Sequence, residues 1–351
     1  MNNKNLLELG LNEGYVNEAS IYNEDYYLGR VSVQYKDIYR VVTEEGEVLA
    51  RVSGKLSYSS NSTFDYPVVG DWVLLDRTDN KNGDAIIHKV LTRKSYFSRK
   101  IAGTRYDTQV VAANIDYIFI CMALNNDFNI SRLERYIAVA WDSMATPVIV
   151  LTKSDLCEDI DERLNEVNEA AIGIDILVTS SLNGNGYEKV KEYIKSGTTI
   201  AFIGSSGVGK STLINKLLNK EVLKTNSISE NHKGRHTTTH RELFLLVDGG
   251  VIIDTPGMRE LGLISADVDK SFGNIEELEK QCKFSDCTHR NEPKCAVREA
   301  IESGELDIDR FERYKKLKKE EAYNLSKSKS QERHKMKNLM KGKKSLWKPW
   351  I

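Results

Sequence analysis

Two stretches of this 351-residue chain carry side chains whose types and spacing could do chemistry. The first is Gly204-Ser205-Ser206-Gly207-Val208-Gly209-Lys210-Ser211-Thr212, which fills every fixed position of Gly-x-x-x-x-Gly-Lys-Ser. Glycines there let the backbone fold tightly enough for several N–H groups to converge on one phosphate chain, and a following helix would add its positive end. Lys210 would reach the β- and γ-phosphates, and Ser211 would ligate Mg²⁺. The second is Cys282-x₄-Cys287-x-His289-x₅-Cys295, three thiolates and one imidazole. Four soft or borderline donors suit Zn²⁺ in a closed tetrahedral site. No position is left for a reactive water, so the expected role is structural.

Other motifs specify what the phosphate loop would serve. In Thr152-Lys153-Ser154-Asp155, the carboxylate of Asp155 can accept both the N1–H and the exocyclic N–H of guanine, a pairing adenine cannot make. Lys153 would lie along the base and ribose. Thr152 stands where such loops usually have Asn, and can still hydrogen-bond. Thr179-Ser180-Ser181 fits a loop closing over the base. Asp254-Thr255-Pro256-Gly257 follows the apolar run Val251–Ile253, placing Asp254 to hold Mg²⁺ through water and the Gly257 N–H to meet a γ-phosphate. Between these lies Gly234-Arg235-His236-Thr237-Thr238-Thr239, where a hydroxyl can complete Mg²⁺ coordination; all three threonines qualify, and we favour Thr239. Met258 occupies the position at which Ras-like GTPases carry a water-orienting glutamine, a task no thioether performs, so slow intrinsic hydrolysis completed by a partner is expected. Gly207 lacks the Asn side chain with which potassium-assisted GTPases hold their ion.

The base-reading triplet precedes the phosphate loop by about fifty residues instead of following it. That order implies a circularly permuted nucleotide switch whose Asp254–Gly257 segment leads directly into the Cys/His cluster. An ATPase or kinase could use the same phosphate loop, but Asp155 argues against adenine. A nucleic-acid-binding module that switches with little turnover is the other reading.

These groups need elements to position them. Tyr27–Gln34, Ile38–Thr43, Val48–Val52, Trp72–Asp76 and Ala85–Val90 read as short strands separated by Glu45-Gly46, Ser53-Gly54 and Asn82-Gly83 turns. They suggest a small barrel, either OB-like or SH3-like. From Ile115 the pattern alternates. Strands are expected at Ile115–Leu124, Pro147–Leu151, Ile174–Thr179 and Thr198–Ile203. Helices are expected at Ser131–Trp141 (capped by Ser131), Asp161–Ala171, Tyr187–Ile194 and Lys210–Lys220, and a hairpin joins Leu243–Val247 to Val251–Ile253. This is the pattern of a mostly parallel sheet covered by helices. The expected division is a lead-in over 1–26, the barrel over 27–95, a basic linker over 96–112, the nucleotide domain over 113–266, a helical zinc domain over 267–312 and a basic helix or tail over 313–351.

The chain is 40% hydrophobic, with no apolar run near the roughly 20 residues a membrane span needs. With no signal-peptide core at the N-terminus and no disulfide framework among five cysteines, it is read as cytoplasmic. Cys121 and Cys157 are ordinary free thiols. Its net charge of −1 conceals an asymmetry, since 313–351 carries +11 (fourteen Lys/Arg against three Asp/Glu) and the remainder −12. A basic arm on an acidic body suits a polyanionic partner, and Trp347 and Trp350 could stack on bases.

Barrel, guanine loop, phosphate loop, switches and metal knuckle occur here in the order of the RsgA (YjeQ) family of circularly permuted GTPases, which the chain resembles from about Tyr27 to Tyr314. Val69-Gly70-Asp71, Ala113-Asn114-Ile115-Asp116, Gly234–Thr239 and the zinc spacing carry the resemblance. It implies an OB-fold barrel, a permuted α/β P-loop GTPase and an α-helical zinc domain. It further implies a monomer that binds the small ribosomal subunit and its rRNA late in maturation, hydrolyses GTP when the subunit stimulates it, and is released with GDP. Guanine contacts then map to Thr152, Lys153 and Asp155, phosphate contacts to Gly204–Thr212, and zinc to Cys282, Cys287, His289 and Cys295. Ile264-Ser265 stands where some members have a histidine, whose role does not transfer.

Overall fold

The computed structural model describes residues 6–22, 25–60, 62–100, 108–221, 223, 241–247, 249–254, 268–323 and 326. The chain divides into two compact units. One comprises Met1–Ile101 with Asp107–Leu261, the other Ala102–Tyr106 with Gly262–Ile351.

In the first unit, β1 (Tyr27–Gln34), β2 (Tyr39–Val42), β3 (Glu47–Val52), β4 (Trp72–Leu75) and β5 (Ala85–Val90) close a barrel in the order β1-β2-β3-β5-β4-β1. β3 and β5 form its parallel pair, and a helix, Gly54–Ser59, intervenes between β3 and β4. That connectivity is OB-like, which decides between the two barrels the alternation allowed. Period-two patterning does the work: in β3, Val48 and Ala50 are buried while Glu47, Leu49 and Arg51 are exposed. The inward set, including Val31, Val41, Val73 and Ile87, fills the interior.

Two expectations for this unit need correction. The polar lead-in contains a helix, Glu13–Ser20, capped by the Asn12 side chain, and buries Leu6, Leu9 and Tyr15. Within the basic linker, β6 (Tyr96–Lys100) pairs antiparallel with β7 (Thr108–Ala113). Charge counting hid Phe97, Val110 and Val111, all buried.

The nucleotide domain's sheet contains β8 (Tyr117–Ala123), β9 (Thr146–Thr152), β10 (Asp175–Val178), β11 (Thr199–Ile203), β12 (Arg241–Leu245) and β13 (Val251–Asp254), ordered β10-β9-β8-β11-β13-β12. All neighbours are parallel except β12 and β13. β8, β9 and β11 are buried almost without interruption, as strands covered on both faces must be. The helices Ile130–Asp142, Ile160–Ala170, Tyr187–Lys191 and Lys210–Leu218 fall where the 3.6-residue pattern put them. The first is capped by Asn129 rather than Ser131. Its side chain accepts from the Arg132 N–H, which starts the helix one residue early.

Barrel and sheet are continuous. β12 pairs with β1, Val33 opposite Glu242 and Gln34 opposite Arg241. Behind this ladder sits Arg30, only 2% exposed. It donates to the carbonyls of Leu9, Gly70 (3.2 Å) and Asn114 (3.3 Å) and to the Thr199 hydroxyl (2.9 Å), with the Trp72 ring beneath it. Burial pushes its pKa down to about 10, which leaves it charged at neutral pH. Asn114, in the left-handed region at φ 58°, donates to Gly70 O (3.1 Å) and accepts from Tyr15 (2.9 Å) and the Lys94 N–H (3.0 Å). Gly70 is required here because a Cβ would lie 2.2 Å from Ala113 O. Beside it, Asp71 receives a two-pronged bond from Arg93 (2.8 and 2.7 Å) and the Val68 N–H.

The described part of the second unit is helical. It comprises Val268–Ser271, Gly273–Lys280, Ala296–Ser303 and a helix over 308–323, packed around Phe272, Ile275, Val297, Leu306, Phe311 and Tyr314. Among the described residues no helix is long and apolar enough to cross a membrane.

Candidate nucleotide site and metal centre

The phosphate loop leaves the C-terminal end of β11, a central strand, and enters the helix at Lys210. Gly204 has φ 140° and passes so near β8 that a Cβ would lie 2.2 Å from Cys121 O. Only glycine lets the chain turn there. Val208 is buried and anchors the loop, while Ser206 and Gly207 form its exposed crest. Gly209 is left-handed at φ 101°, which aims the N–H groups of the helix's first turn at one locus. Ser211 and Thr212 lie in that first turn. Lys210 Nζ is folded onto the carbonyls of Gly204 and Ser205, 2.6 Å from each. Cys121 beneath the loop is fully buried, and burial pushes its thiol up to about 12, so it stays protonated and inert.

The base-side loop follows β9, two strands away. Thr152 is buried, and its hydroxyl hydrogen-bonds to Val208 O (2.5 Å) and Met122 O (3.3 Å). The residue that departs from the usual Asn therefore ties the base-side loop to the phosphate loop. Lys153 takes the left-handed conformation (φ 57°), turning the chain so that Ser154 and Asp155 form a short 3₁₀ turn. Ser180 donates to Asp155 at 2.5 Å, and its own oxygen accepts the Asn183 N–H. Ser181 bonds to the Tyr187 hydroxyl (2.8 Å). The Ser180–Ser181 loop is thus already fastened to the carboxylate that would read a base.

Asp254 ends β13, adjacent to β11, with Glu242 of β12 opposite it. Thr237–Thr239, Gly257, Met258 and the basic tail over 327–351 lie outside the described residues.

In the second unit, one donor atom from each of Cys282, Cys287, His289 and Cys295 lies within 4.8 Å of the others. His289 Nδ1 is 3.4 Å from Cys295 Sγ and 3.7 Å from Cys282 Sγ, so Nδ1 is the metal-facing nitrogen. Its Nε2 meets Glu279 at 3.1 Å, and Glu279 accepts from the Tyr314 hydroxyl at 2.9 Å. A carboxylate behind a ligating histidine fixes its tautomer and raises its basicity. Glu292 accepts from the Thr288 hydroxyl and from the N–H groups of Thr288, Arg290 and Asn291, and the Thr288 hydroxyl, with the backbone N–H groups of Glu292, Thr288 and Arg290, holds its carboxyl down to a pKa of about 2. The four donors fit a metal ion.

The RsgA GTPase family model matches residues 90–264. A relative from Lactiplantibacillus plantarum, small ribosomal subunit biogenesis GTPase RsgA 2, is 45% identical over 344 residues, covering 97% of this chain and 96% of its own. This chain belongs to the RsgA family. Another RsgA, from Oceanobacillus iheyensis, is 45% identical over 323 residues, covering 91% of this chain and 92% of its own. The crystal structure of YjeQ from Thermotoga maritima matches with a TM-score of 0.64 and 30% identity over 85% of this chain and 99% of that one. YloQ, a circularly permuted GTPase, shares the fold with a TM-score of 0.61 at 24% identity, covering 85% and 95%.

Sequence reasoning missed several residues that this RsgA chain uses. Arg30, Glu279 and Tyr314 act by contact with residues 10 to 169 positions away, and no motif marks them. Arg132 was also unmarked. Its Nη1 reaches Ser205 Oγ in the phosphate loop at 2.7 Å.

Proposed function

We propose that this RsgA-family chain is a GTP hydrolase of late small-subunit maturation, slow alone and stimulated by the subunit. The observation that carries the nucleotide assignment is the joining of the Asp155 loop to the phosphate loop through Thr152 and Val208 O. One nucleotide placed with its base at Asp155 would have its phosphates at Gly204–Thr212.

In this reading Thr152, Lys153, Ser154 and Asp155 recognise guanine under the Ser180–Ser181 loop. Gly204 to Thr212 bind the phosphates through backbone N–H groups. Lys210 leaves the Gly204 and Ser205 carbonyls for the β- and γ-phosphates. Ser211, Asp254 and Thr239 would hold Mg²⁺, which supplies neutralising charge on the phosphates. Gly257 would donate its N–H to the γ-phosphate. Water attacks in line, and Lys210 stabilises the charge that develops. Cys282, Cys287, His289 and Cys295 would hold one structural Zn²⁺.

The division into barrel (27–95), GTPase (113–266) and zinc domain (267–312) serves this cycle, with barrel and basic tail contacting rRNA. The protein acts as a cytoplasmic monomer. Small-subunit-stimulated phosphate release from GTP tests the reading. Wild type should respond, and Lys210→Ala should lose turnover by at least about 10³-fold. Wild-type turnover in that variant would overturn the assignment.

A further inference from the structure

With Met258 unable to orient water, the described site offers few groups to stabilise charge at the γ-phosphate. β8 and β11 are parallel neighbours, Ile120 beside Ile203, so the loops leaving their C-terminal ends run side by side. One is the phosphate loop. The other leads to the helix Ile130–Asp142, whose Asn129 cap fixes the backbone of Arg132.

The Arg132 side chain is partly exposed at the rim of the phosphate loop. Nη1 alone makes its contacts, to Ser205 Oγ at 2.7 Å, to both Asp127 carboxylate oxygens at 2.9 Å and to the Asp127 carbonyl at 3.4 Å. Nε and Nη2 make no hydrogen bond to the described residues. A guanidinium keeps its charge at any physiological pH and can chelate phosphate oxygens with two donors. Its ion pair with Asp127 is solvent-accessible on both sides, and such pairs are weakly held. A bound triphosphate places more negative charge next to it than one carboxylate does.

We propose that Arg132 is a catalytic residue for GTP hydrolysis, exchanging Asp127 for a γ-phosphate oxygen when nucleotide is bound. This rests on the GTPase reading above. In the reaction the water oxygen bonds to the γ-phosphorus and the bond to the bridging oxygen breaks, its electron pair leaving with GDP. The water proton passes to phosphate. Arg132 offsets charge on the transferring group, as arginine supplied in cis does elsewhere.

The test uses the full chain in single-turnover hydrolysis, with and without small subunits, alongside GDP affinity. Arg132→Ala should slow hydrolysis about 10²-fold and change GDP affinity by less than about twofold. Arg132→Lys should fall between, and millimolar guanidinium should restore part of the Ala variant's rate. Should the Ala variant fold poorly, the Lys variant carries the comparison. An unchanged rate would overturn the proposal. So would parallel losses of GDP affinity and rate without rescue, since Arg132 would then only brace the loop through Ser205. Wild-type protein that releases no phosphate even with subunits would instead sink the GTPase reading.

Discussion

The nucleotide site and the Cys/His centre are held together by opposite means. Around the phosphate loop, position is set by backbone geometry on a large buried sheet: Gly204 is pressed against Cys121 O, and the Thr152 hydroxyl spans to Val208. At the Cys/His centre three of the helices run only four to eight residues, His289 and Lys294 sit at φ 58°, and four side chains converge. A small unit with few apolar layers needs such a staple, whereas a sheet buried on both faces does not. One site is shaped by its backbone, the other by four side chains converging on one point.

That contrast can be broken by experiment. The largest effect is expected from Cys287→Ser or from a strong chelator. Zinc content should fall from about one per chain, with loss of binding energy on the order of 10 kcal/mol. Amide exchange over 268–323 should rise sharply while GDP affinity persists. Parallel loss of GDP binding would show that the two sites share one source of order. Next is Gly204→Ala, whose added carbon meets Cys121 O at 2.2 Å in a conformation L-residues avoid. A destabilisation of about 3 kcal/mol is expected, read as a lower melting midpoint of the first unit with zinc content intact. The smallest is Glu279→Gln, which removes the carboxylate behind His289. Zinc affinity in competition with a chelator should drop about 10- to 100-fold. No change would mean that the His289 tautomer is set elsewhere.

The two sites were also unequally legible. Cys282, Cys287, His289 and Cys295 announce themselves by spacing, but the Glu279–Tyr314 support behind them does not. In the nucleotide site the glycines and Lys210 are plain in sequence. The meaning of Thr152 was not, because a threonine looks like a weaker asparagine until its bond to Val208 is seen. Val69-Gly70-Asp71 and Ala113-Asn114-Ile115-Asp116 stood out only as resemblance. Spatially they are one junction, where Asn114 bonds to Gly70 and Asp71 is locked by Arg93.

From sequence alone came the five barrel strands, the strand and helix alternation of the nucleotide domain, the permuted arrangement of Asp155 ahead of Gly204, and the close spacing of Cys282, Cys287, His289 and Cys295. Each of these is encoded by local periodicity or by residue types at short spacing, and needs no knowledge of distant contacts. Tertiary structure alone decided the barrel's closure order, the ladder of β12 on β1, the burial of Arg30 at the seam and the reach of Arg132 to Ser205. Those depend on pairings between residues far apart in the chain. Backbone hydrogen bonds are blind to side-chain identity, and a single arginine carries no periodic signal. Only packing selects which distant partner each one meets.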